Sequence, residues 1–341
     1  AKDGKKLVIA ELGNGEIFGE MSMIDDAPRS ASVTAKVNTE VIVMERSRLS
    51  KPLFSANPIE HLLLRVLLAR FRESQSQMSN IQIGASKHGV SIEKIRDLAF
   101  DRISKENDLR QALKASDLEL HYQPIINFKS GEIGGFEALI RWKQNDKYVL
   151  PNHFIPLAEE SGIICEIGHW ILNHGLKDQK TIRSSFKKQF PKSTTPFMSI
   201  NVSSSQLSEI SETEKIISLI KSSAVKPEEI KLEITESLMI SDPRLAKKIL
   251  NKLKKTGISM TIDDFGTGYS SLSYLHQFPF DTLKIDQAFV KNMGSSKNSF
   301  RIINCIIQLA KALDLSIVAE GVETKKQMEQ LKELGCQFGQ G

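Results

Sequence analysis

The sequence is poor in cysteine, in aromatic residues and in long apolar runs. Its three cysteines, Cys165, Cys305 and Cys336, lie far apart without CxxC spacing, which argues against a disulfide framework and a zinc site. The richest apolar run, at residues 62–69, is interrupted by Arg65 and is too short to span a bilayer, and no secretory signal opens the sequence. We therefore expect a soluble protein of a reducing cytoplasm.

A large excess of charge of either sign is also absent. The sequence of 341 residues contains 46 Lys and Arg against 41 Asp and Glu, a formal net charge of +5. The basic residues are spread along helix-like stretches such as residues 247–255, which favours solvated helix faces over a nucleic-acid surface. Mild basicity still favours a small anionic ligand. The hydrophobic content of 40% is typical of a globular protein, and the length predicts two domains.

The first part of the sequence predicts small β structure followed by helices. Short apolar runs at residues 7–9, 31–33 and 41–44 are separated by turns that contain glycine and aspartate. After Pro58, apolar residues recur at helical spacing through residues 62–71, which predicts an amphipathic helix. A second helical pattern at residues 92–113 is interpreted as a connector between two modules.

The remaining sequence alternates between strand-like and helical patterns. The strand-like runs are residues 118–122, 134–142, 197–202, 230–234, 259–262, 282–285 and 316–319. Seven strands in alternation with helices predict a parallel α/β barrel. Because the sequence begins without methionine and ends at Gly341 in what is typical of a glycine-rich turn, we expect a piece of a longer protein whose barrel is cut short.

Carboxylate, amide and ammonium side chains fall within or just after these apolar runs. They are Glu137, Asn201, Glu233, Asp263, Asp264, Lys284 and Glu320. The carboxyl ends of barrel strands meet at one rim, so we expect these groups to converge on one mouth. A single strand-end carboxylate is more often a salt bridge or a helix cap, but such a succession is not well explained in that way.

The chemistry of this set favours metal-dependent hydrolysis of a phosphoester. Crowded carboxylates resist ionisation unless cations neutralise them, and hard oxygen ligands with one amide suit Mg²⁺ or Mn²⁺. The adjacent Asp263 and Asp264 could let one carboxylate bridge two metal ions while the other serves the second ion. Two ions roughly 4 Å apart promote in-line displacement at phosphorus. Lys284 is the candidate to hold the attacking water or to offset phosphate charge.

Ordered motifs run through the same region. They are Glu-Ala-Leu at 137–139 with Arg141, Asn-Val-Ser at 201–203, Glu-Ile-Thr-Glu at 233–236, Asp-Asp-Phe-Gly-Thr-Gly-Tyr-Ser-Ser-Leu at 263–272, Lys-Ile-Asp at 284–286, Ala-Glu-Gly-Val-Glu at 319–323 and Gln-Gly at 340–341. As a set they resemble the EAL-domain cyclic di-GMP phosphodiesterases over roughly residues 106–341. The resemblance implies an α/β fold of the TIM-like (β/α) barrel type and hydrolysis of cyclic di-GMP to linear pGpG.

The resemblance also implies a role for each residue. Glu137, Asn201, Glu233 and Asp263 would bind one metal ion, and Asp263, Asp264 and Glu320 the other, while Lys284 would engage the catalytic water. Glu236 would anchor the loop from Asp263 to Ser271, which family members use at the second metal and the dimer interface. The implied substrate contacts are Leu139, Arg141, Asn201, Asp286, Glu323 and Gln340. No matching position is substituted, which favours catalysis over the alternative of a receptor that binds without cleaving.

A second motif lies at residues 18–33 of the first module. Gly19 could turn backbone amides toward an anion, Arg29 could fork onto a phosphate, and Glu20 could accept from a ribose hydroxyl, although a surface turn explains these residues about as well. The order of residues resembles the phosphate-binding cassette of cyclic-nucleotide-binding domains, which are small β jelly rolls. The resemblance implies ligand contacts from Gly19, Glu20, Arg29, Ser30 and Ala31, with Ser30 favouring cyclic AMP over cyclic GMP.

The predicted organisation has three parts: a partial cyclic-nucleotide-binding domain at 1–57, dimerisation and connector helices at 58–105, and the barrel at 106–341. The helix at residues 59–74 resembles the dimerising helix of catabolite-activator-type regulators, although a helix packed on its own domain has the same spacing. We therefore predict a homodimeric bacterial phosphodiesterase regulated by a cyclic nucleotide, without membrane or nucleic-acid partners. A first module that is only a degenerate scaffold is the alternative.

Overall fold

The computed structural model describes residues 11–13, 16–19, 29, 31–41, 66–68, 70, 92–144, 146–266, 276–294 and 296–341. At residues 92–99, 240, 241 and 297 it describes the backbone alone. The chain divides into two compact units, Ala1–Asp108 and Leu109–Gly341. None of the helices in these ranges combines the length and apolarity needed to cross a membrane.

The first unit is described only in part. Residues 31–33, predicted as a strand, belong to no strand, and their side chains are exposed, as expected for an apolar run without a sheet partner. The other two predicted strands lie wholly or largely outside the described residues. Residues 66–68 and 70 are helical, which agrees with the prediction for this part of the helix at 59–74.

The helix predicted at residues 92–113 is confirmed as α1, Ile92–Ala115. Its last turns belong to the second unit, where Leu109 and Ala112 are buried in the core. Ser116 then adopts a left-handed backbone with φ 62°, and the Asp117 N–H donates to Ala112 O at 3.1 Å, which ends the helix. Lys143 N–H donates to Asp117 O at 2.8 Å, so the turn after α1 is hydrogen-bonded to the segment that contains Lys143.

The second unit is a closed barrel. Its strands are β1 Leu118–Asn127, β2 Ile133–Gln144, β3 Lys147–Val149, β4 Phe197–Val202, β5 Ile230–Thr235, β6 Ser259–Phe265, β7 Thr282–Ile285, β8 Ser316–Glu320 and β9 Phe338–Gln340. Eight of them form a ring in the order β1-β9-β8-β7-β6-β5-β4-β2, which closes through the pairing of β1 with β2. The short β3 extends the ring at β2. The predicted α/β barrel is confirmed.

Two details of the predicted barrel are wrong. β1 runs antiparallel to both β2 and β9, so the barrel is not wholly parallel. The five residues between β1 and β2 allow a hairpin but not the longer crossover that parallel pairing needs. The C-terminal segment, predicted as a turn because of Gly339 and Gly341, forms β9, which pairs with β1 and β8 and completes the ring.

Helices surround this ring. They are α2 Pro151–Ser161, α3 Ile164–Gln189, α4 Ile210–Ser222, α5 Ser237–Ser241, α6 Pro243–Lys254, α7 Gln287–Asn292, α8 Lys297–Ala312 and α9 Lys325–Leu334. Strand residues that face the helices, such as Ile200, Leu232 and Leu283, are almost completely buried. Since successive strand residues point to opposite faces, their neighbours line the barrel interior.

The floor of the barrel interior is aromatic. Lys231 places its ammonium 4.2 Å from the ring centre of Phe197 and 5.8 Å from that of Phe338, and donates to Thr282 Oγ1 at 3.0 Å. Two glycines of β2 make room for the rings, because a Cβ on Gly135 would lie 2.4 Å from the Phe197 ring and one on Gly134 2.7 Å from the Phe338 ring. The floor closes the interior below the polar groups described next.

Candidate active site

Polar side chains converge on the barrel interior as the sequence predicts; Glu137, Glu233, Asp263 and Lys284 are buried, Glu320 is half-buried and Asn201 is exposed. Asn201, Glu233, Asp263, Lys284 and Glu320 lie at or near the carboxyl ends of five successive strands of the ring. Glu137 lies in the middle of the long strand β2, with its Cα paired to that of Ser199. Parallel pairing of β2 with β4 through β8 brings these residues to one level of the barrel.

Lys284 is the centre of this set and is almost completely buried. Its Nζ lies 2.7 Å from Glu233 Oε2, 2.7 Å from Glu320 Oε1, 3.1 Å from Asp263 Oδ1 and 3.3 Å from Glu137 Oε2. Burial alone would lower the pKa of the Lys284 ammonium, but the surrounding carboxylates, Glu233 foremost, raise it well above its ordinary value. Lys284 is therefore a permanent cation within the carboxylates.

Amide and hydroxyl groups orient the carboxylates. Gln340 Nε2 donates to Glu137 Oε2 at 2.6 Å and to Glu320 Oε1 at 3.1 Å, and Asn201 Nδ2 donates to Glu137 Oε1 at 2.8 Å. Ser199 Oγ donates to Glu233 Oε1 at 2.5 Å. Sequence reasoning missed Ser199, although a polar residue two positions before Asn201 on the same strand face is a usable signal.

The carboxylates differ in acidity. Burial is the main reason why the pKa of Glu233 is raised to about 8 and that of Glu320 to about 7. Burial, with the charges of Asp263 and Asp286, also raises the pKa of Asp264. Burial opposes ionisation of Glu137 as well, but Lys284, Gln340 and Asn201 together hold its pKa below the ordinary value. Without an added cation, the site therefore retains protons near neutral pH.

The residues at the second predicted metal position fit a hard cation. Carboxylate oxygens of Asp263, Asp264 and Glu320 lie within 4.8 Å of one another. Asp264 adopts a left-handed backbone with φ 54°, which is unusual for a residue with a side chain, and its N–H donates to Asp263 Oδ1 at 3.0 Å. Gln340 Oε1 is buried without a hydrogen-bond partner among the described residues. An acidic cluster of oxygen donors is thus present where the sequence predicts it.

Glu236 contacts the start of the predicted loop. Its buried carboxylate accepts from the Gly266 N–H at 3.1 Å, directly after β6. Gly266 has φ 97°, a conformation that favours glycine. Residues 267–271 of the predicted loop lie outside the described residues, so the anchoring role stays a prediction beyond this contact.

The predicted substrate residues are only partly brought together. Gln340 and Asn201 bind the cluster, whereas Leu139 and Arg141 are half-buried farther along β2, where Arg141 Nη1 donates to Ile140 O at 2.9 Å. Asp286 caps α7 by accepting from Ala288 N–H at 2.7 Å. Glu323 is exposed, and within the described ranges no hydrogen bond or ion pair joins its side chain to the cluster.

Part of the predicted cyclic-nucleotide site is also visible. Gly19 has φ 82°, and a Cβ built on it would lie 3.7 Å from Arg29 Cζ, so the glycine and the guanidinium are close. Ala31 is exposed, and Glu20 and Ser30 lie outside the described residues. The close approach of Gly19 to Arg29 is compatible with a phosphate-binding turn.

Two family models match the chain. The EAL domain matches residues 106–341, and the cyclic nucleotide-binding domain matches residues 1–54. The chain is 35% identical over 244 residues to the cyclic di-GMP phosphodiesterase NbdA of Pseudomonas aeruginosa, covering 71% of this chain and 30% of the relative. It is 36% identical over 237 residues to the probable cyclic di-GMP phosphodiesterase PdeG of Escherichia coli, covering 69% of this chain and 46% of the relative. The chain thus spans less than half the length of these curated relatives.

A solved structure resembles the whole chain. The cAMP- and cyclic-di-GMP-bound form of the EAL enzyme Bd1971 has a TM-score of 0.75 and 37% sequence identity, covering 100% of this chain and 87% of that protein. A cGMP-bound form of the same enzyme matches with a TM-score of 0.75 and 36% identity. Both domains predicted from the sequence therefore have counterparts in these comparisons.

Proposed function

The chain belongs to the EAL domain family, and from that membership we propose that it hydrolyses cyclic di-GMP to linear pGpG with two divalent cations, under control of a cyclic mononucleotide. The observation that carries the proposal is the buried cluster of carboxylates around Lys284. The proposed reaction is the one for which the relatives NbdA and PdeG are named. The proposed substrate and regulatory ligand are of the two classes bound in Bd1971, a cyclic dinucleotide and a cyclic mononucleotide.

The charge of the site supports two cations. Glu137, Glu233, Asp263, Asp264 and Glu320 carry five negative charges when ionised, and Lys284 compensates one of them. The remaining four negative charges equal the charge of two divalent cations, and without such cations the negative charges on the buried Glu137, Glu233 and Asp263 are costly. Mg²⁺ and Mn²⁺ suit the oxygen donors.

Each side chain has a proposed position. Glu137, Asn201, Glu233 and Asp263 would hold one cation, and Asp263, Asp264 and Glu320 the other. When bound, the cations supply Lewis acidity to the phosphodiester and lower the pKa of a water molecule.

The reaction needs an attacking water, a leaving 3′-oxygen and groups that stabilise the negative charge developing on the phosphate. Water attacks one phosphorus, the bond from phosphorus to the 3′-oxygen breaks, and a proton reaches the leaving oxygen. Lys284, already within 3.3 Å of four carboxylates, would donate to the water or to a phosphate oxygen as negative charge develops. Leu139 and Arg141 on β2, and Asp286 and Glu323 at the mouth, remain the proposed substrate contacts.

The decisive experiment is turnover of cyclic di-GMP with Mg²⁺ or Mn²⁺. Wild-type protein should yield pGpG, and Glu137→Gln should abolish hydrolysis because a neutral side chain removes a charged metal ligand and one of the carboxylates that contact Lys284. Lys143→Gln, an exposed change on the same strand, is the matched control and should retain activity. If the wild type binds cyclic di-GMP but never produces pGpG, the protein is a receptor and not an enzyme.

Four further properties of the protein are also proposals. The domain boundaries at residues 57 and 105, the homodimer, the preference for cyclic AMP and the cytoplasmic location all follow from the sequence patterns. Three free cysteines are compatible with a reducing compartment.

A further inference from the structure

Three hydroxyl side chains form a closed hydrogen-bonded ring at the mouth of the barrel. Ser204 Oγ lies 2.7 Å from Ser237 Oγ and 3.2 Å from Thr235 Oγ1, and Thr235 Oγ1 lies 2.8 Å from Ser237 Oγ. We call Ser204, Thr235 and Ser237 the hydroxyl ring. Its members come from three segments: the turn after β4, the end of β5 and the start of α5.

The hydroxyl ring lies directly beyond the carboxylate cluster. Thr235 follows Glu233 by two residues and therefore points to the same side of β5, one level nearer the mouth. The Cα of Thr235 is paired with that of Asp263, and Ser204 follows Asn201 by three residues. Along β5, Lys231, Glu233 and Thr235 thus mark the floor, the carboxylate level and the rim of one interior.

The ring's three bonds do not cap a helix. α5 begins after Glu236, and the N-cap residue makes no side-chain capping bond. Ser204 and Thr235 are half-buried, so both residues retain some exposure to solvent. Stabilisation of the N-terminus of α5 therefore does not explain this cluster of hydroxyls.

The proton count of the ring fixes the chemistry that it offers. Each hydroxyl carries one proton and two lone pairs. A closed ring uses each proton in a bond to the next oxygen, so Ser204 Oγ and Thr235 Oγ1 each retain a lone pair for an additional bond. The ring therefore suits the N–H and O–H donors of a ligand better than the oxygens of a phosphate.

We propose that the hydroxyl ring is a substrate-positioning element that accepts hydrogen bonds from donor groups of a cyclic dinucleotide bound over the carboxylates. This inference rests on the proposed function. A guanine supplies such a donor at its exocyclic amine, and a ribose supplies one at its 2′-hydroxyl. Ser204 and Thr235 are the members that face this ligand.

The test is Ser204→Ala in the full chain, compared with wild type by steady-state kinetics on cyclic di-GMP. Loss of one neutral hydrogen bond should raise KM about fivefold to tenfold and leave kcat within about twofold. Ser204→Thr, which keeps the hydroxyl, should restore KM. Ser208→Ala is the matched control, since Ser208 lies in the same segment but donates to Ser205 O at 2.7 Å.

Two analogues identify the donor. An analogue with inosine in place of guanosine lacks the exocyclic amine, and a 2′-deoxy analogue lacks the ribose hydroxyl. If the inference is right, one of these analogues should bind the wild type as weakly as cyclic di-GMP binds Ser204→Ala. The affinity of that analogue for Ser204→Ala should be no lower than its affinity for the wild type. If neither analogue shows this non-additivity, the ring does not contact substrate and the inference is overturned.

Calorimetric binding of cyclic di-GMP separates the two proposals. If the wild type binds cyclic di-GMP without hydrolysing it, the proposed hydrolysis is wrong. The inference about the hydroxyl ring is still supported in that case if Ser204→Ala binds cyclic di-GMP more weakly. Normal turnover with an unchanged KM in Ser204→Ala defeats the ring inference alone. A lowered kcat and melting temperature with unchanged KM would assign the ring a structural role, which also overturns it. A wild type that neither binds nor hydrolyses cyclic di-GMP overturns both.

Discussion

At the scale of residues, the acidity of the carboxylate cluster leads to a pH-dependent cation affinity. Glu233 and Glu320, with pKa values raised to about 8 and about 7, hold protons at neutral pH that a divalent cation must displace. Affinity for Mn²⁺ should therefore rise from pH 6 to pH 8.5, by roughly tenfold per proton released per pH unit. Calorimetry in buffers of different ionisation enthalpy measures those protons, and an affinity independent of pH contradicts the shifts.

The same groups predict how stability responds without cations. Both carboxyls hold protons in the folded protein at pH values where the unfolded chain has lost them, so folding stability falls as pH rises from about 5 to about 8. Saturating Mn²⁺ should remove most of this fall. Chemical denaturation at several pH values, with and without the cation, measures the difference.

Lys231 is half-buried below Lys284, and the shift of its pKa is opposite to that of Lys284. Burial lowers the pKa of Lys231 to about 8, so between pH 8 and about 10 the unfolded chain binds more protons than the folded one. Relative to Lys231→Met, wild type should gain stability as pH rises through this window, by about 1 kcal/mol per pH unit. A constant difference in the free energy of unfolding between the two proteins would show that Lys231 stays charged.

At the scale of elements, the paired glycines of β2 control how the barrel floor packs. Gly135→Ala would place a Cβ 2.4 Å from the Phe197 ring, and such overpacking should cost about 1–3 kcal/mol of the free energy of unfolding. Gly294→Ala, which meets no atom within 4 Å, is the control and should change stability little. The double change Gly135→Ala with Phe197→Leu should recover part of the loss, as measured by chemical denaturation.

The strands and their ends were largely predictable from the sequence, and the exceptions have physical causes. The runs leading to Asn201, Glu233 and Lys284 are apolar enough to fix strands of the expected length, and strand ends in a barrel must converge. β9 escaped prediction because three residues with a central glycine carry almost no strand signal, and it forms only because β1 and β8 offer pairing partners. Residue spacing did not reveal the hydrogen bonds of Ser199 or the hydroxyl ring, because these depend on register between distant strands.

At the scale of the whole molecule, Arg29 provides a test of the proposed regulation. Arg29→Ala should weaken binding of cyclic AMP at least tenfold, because a guanidinium that binds a phosphate makes charge-assisted hydrogen bonds. Lys36→Ala, an exposed change in the same unit, is the control. Calorimetry with cyclic AMP measures binding, and hydrolysis of cyclic di-GMP with and without cyclic AMP measures regulation.

The two measurements have distinct meanings. If wild type binds cyclic AMP with no change in hydrolysis rate or in affinity for cyclic di-GMP, the regulatory proposal fails while the phosphodiesterase proposal stands. If wild type shows no binding, the first module is a scaffold. In the regulated case, α1 is the covalent link between the units, and the turn that follows α1 is hydrogen-bonded to β2 through Asp117 O and Lys143 N–H.

Closure of the barrel by β9 has a consequence for the timing of protein synthesis. Gln340 reaches Glu137 across 203 residues of sequence, and every other strand of the ring precedes β9 in the chain. On the ribosome, the carboxylates of β2 to β8 are therefore made before the amide that orients two of them. Contacts of such long sequence separation form late and slowly. A nascent chain that has not yet reached β9 should therefore lack the completed site, so the proposed hydrolysis can begin only once β9 has emerged from the ribosome.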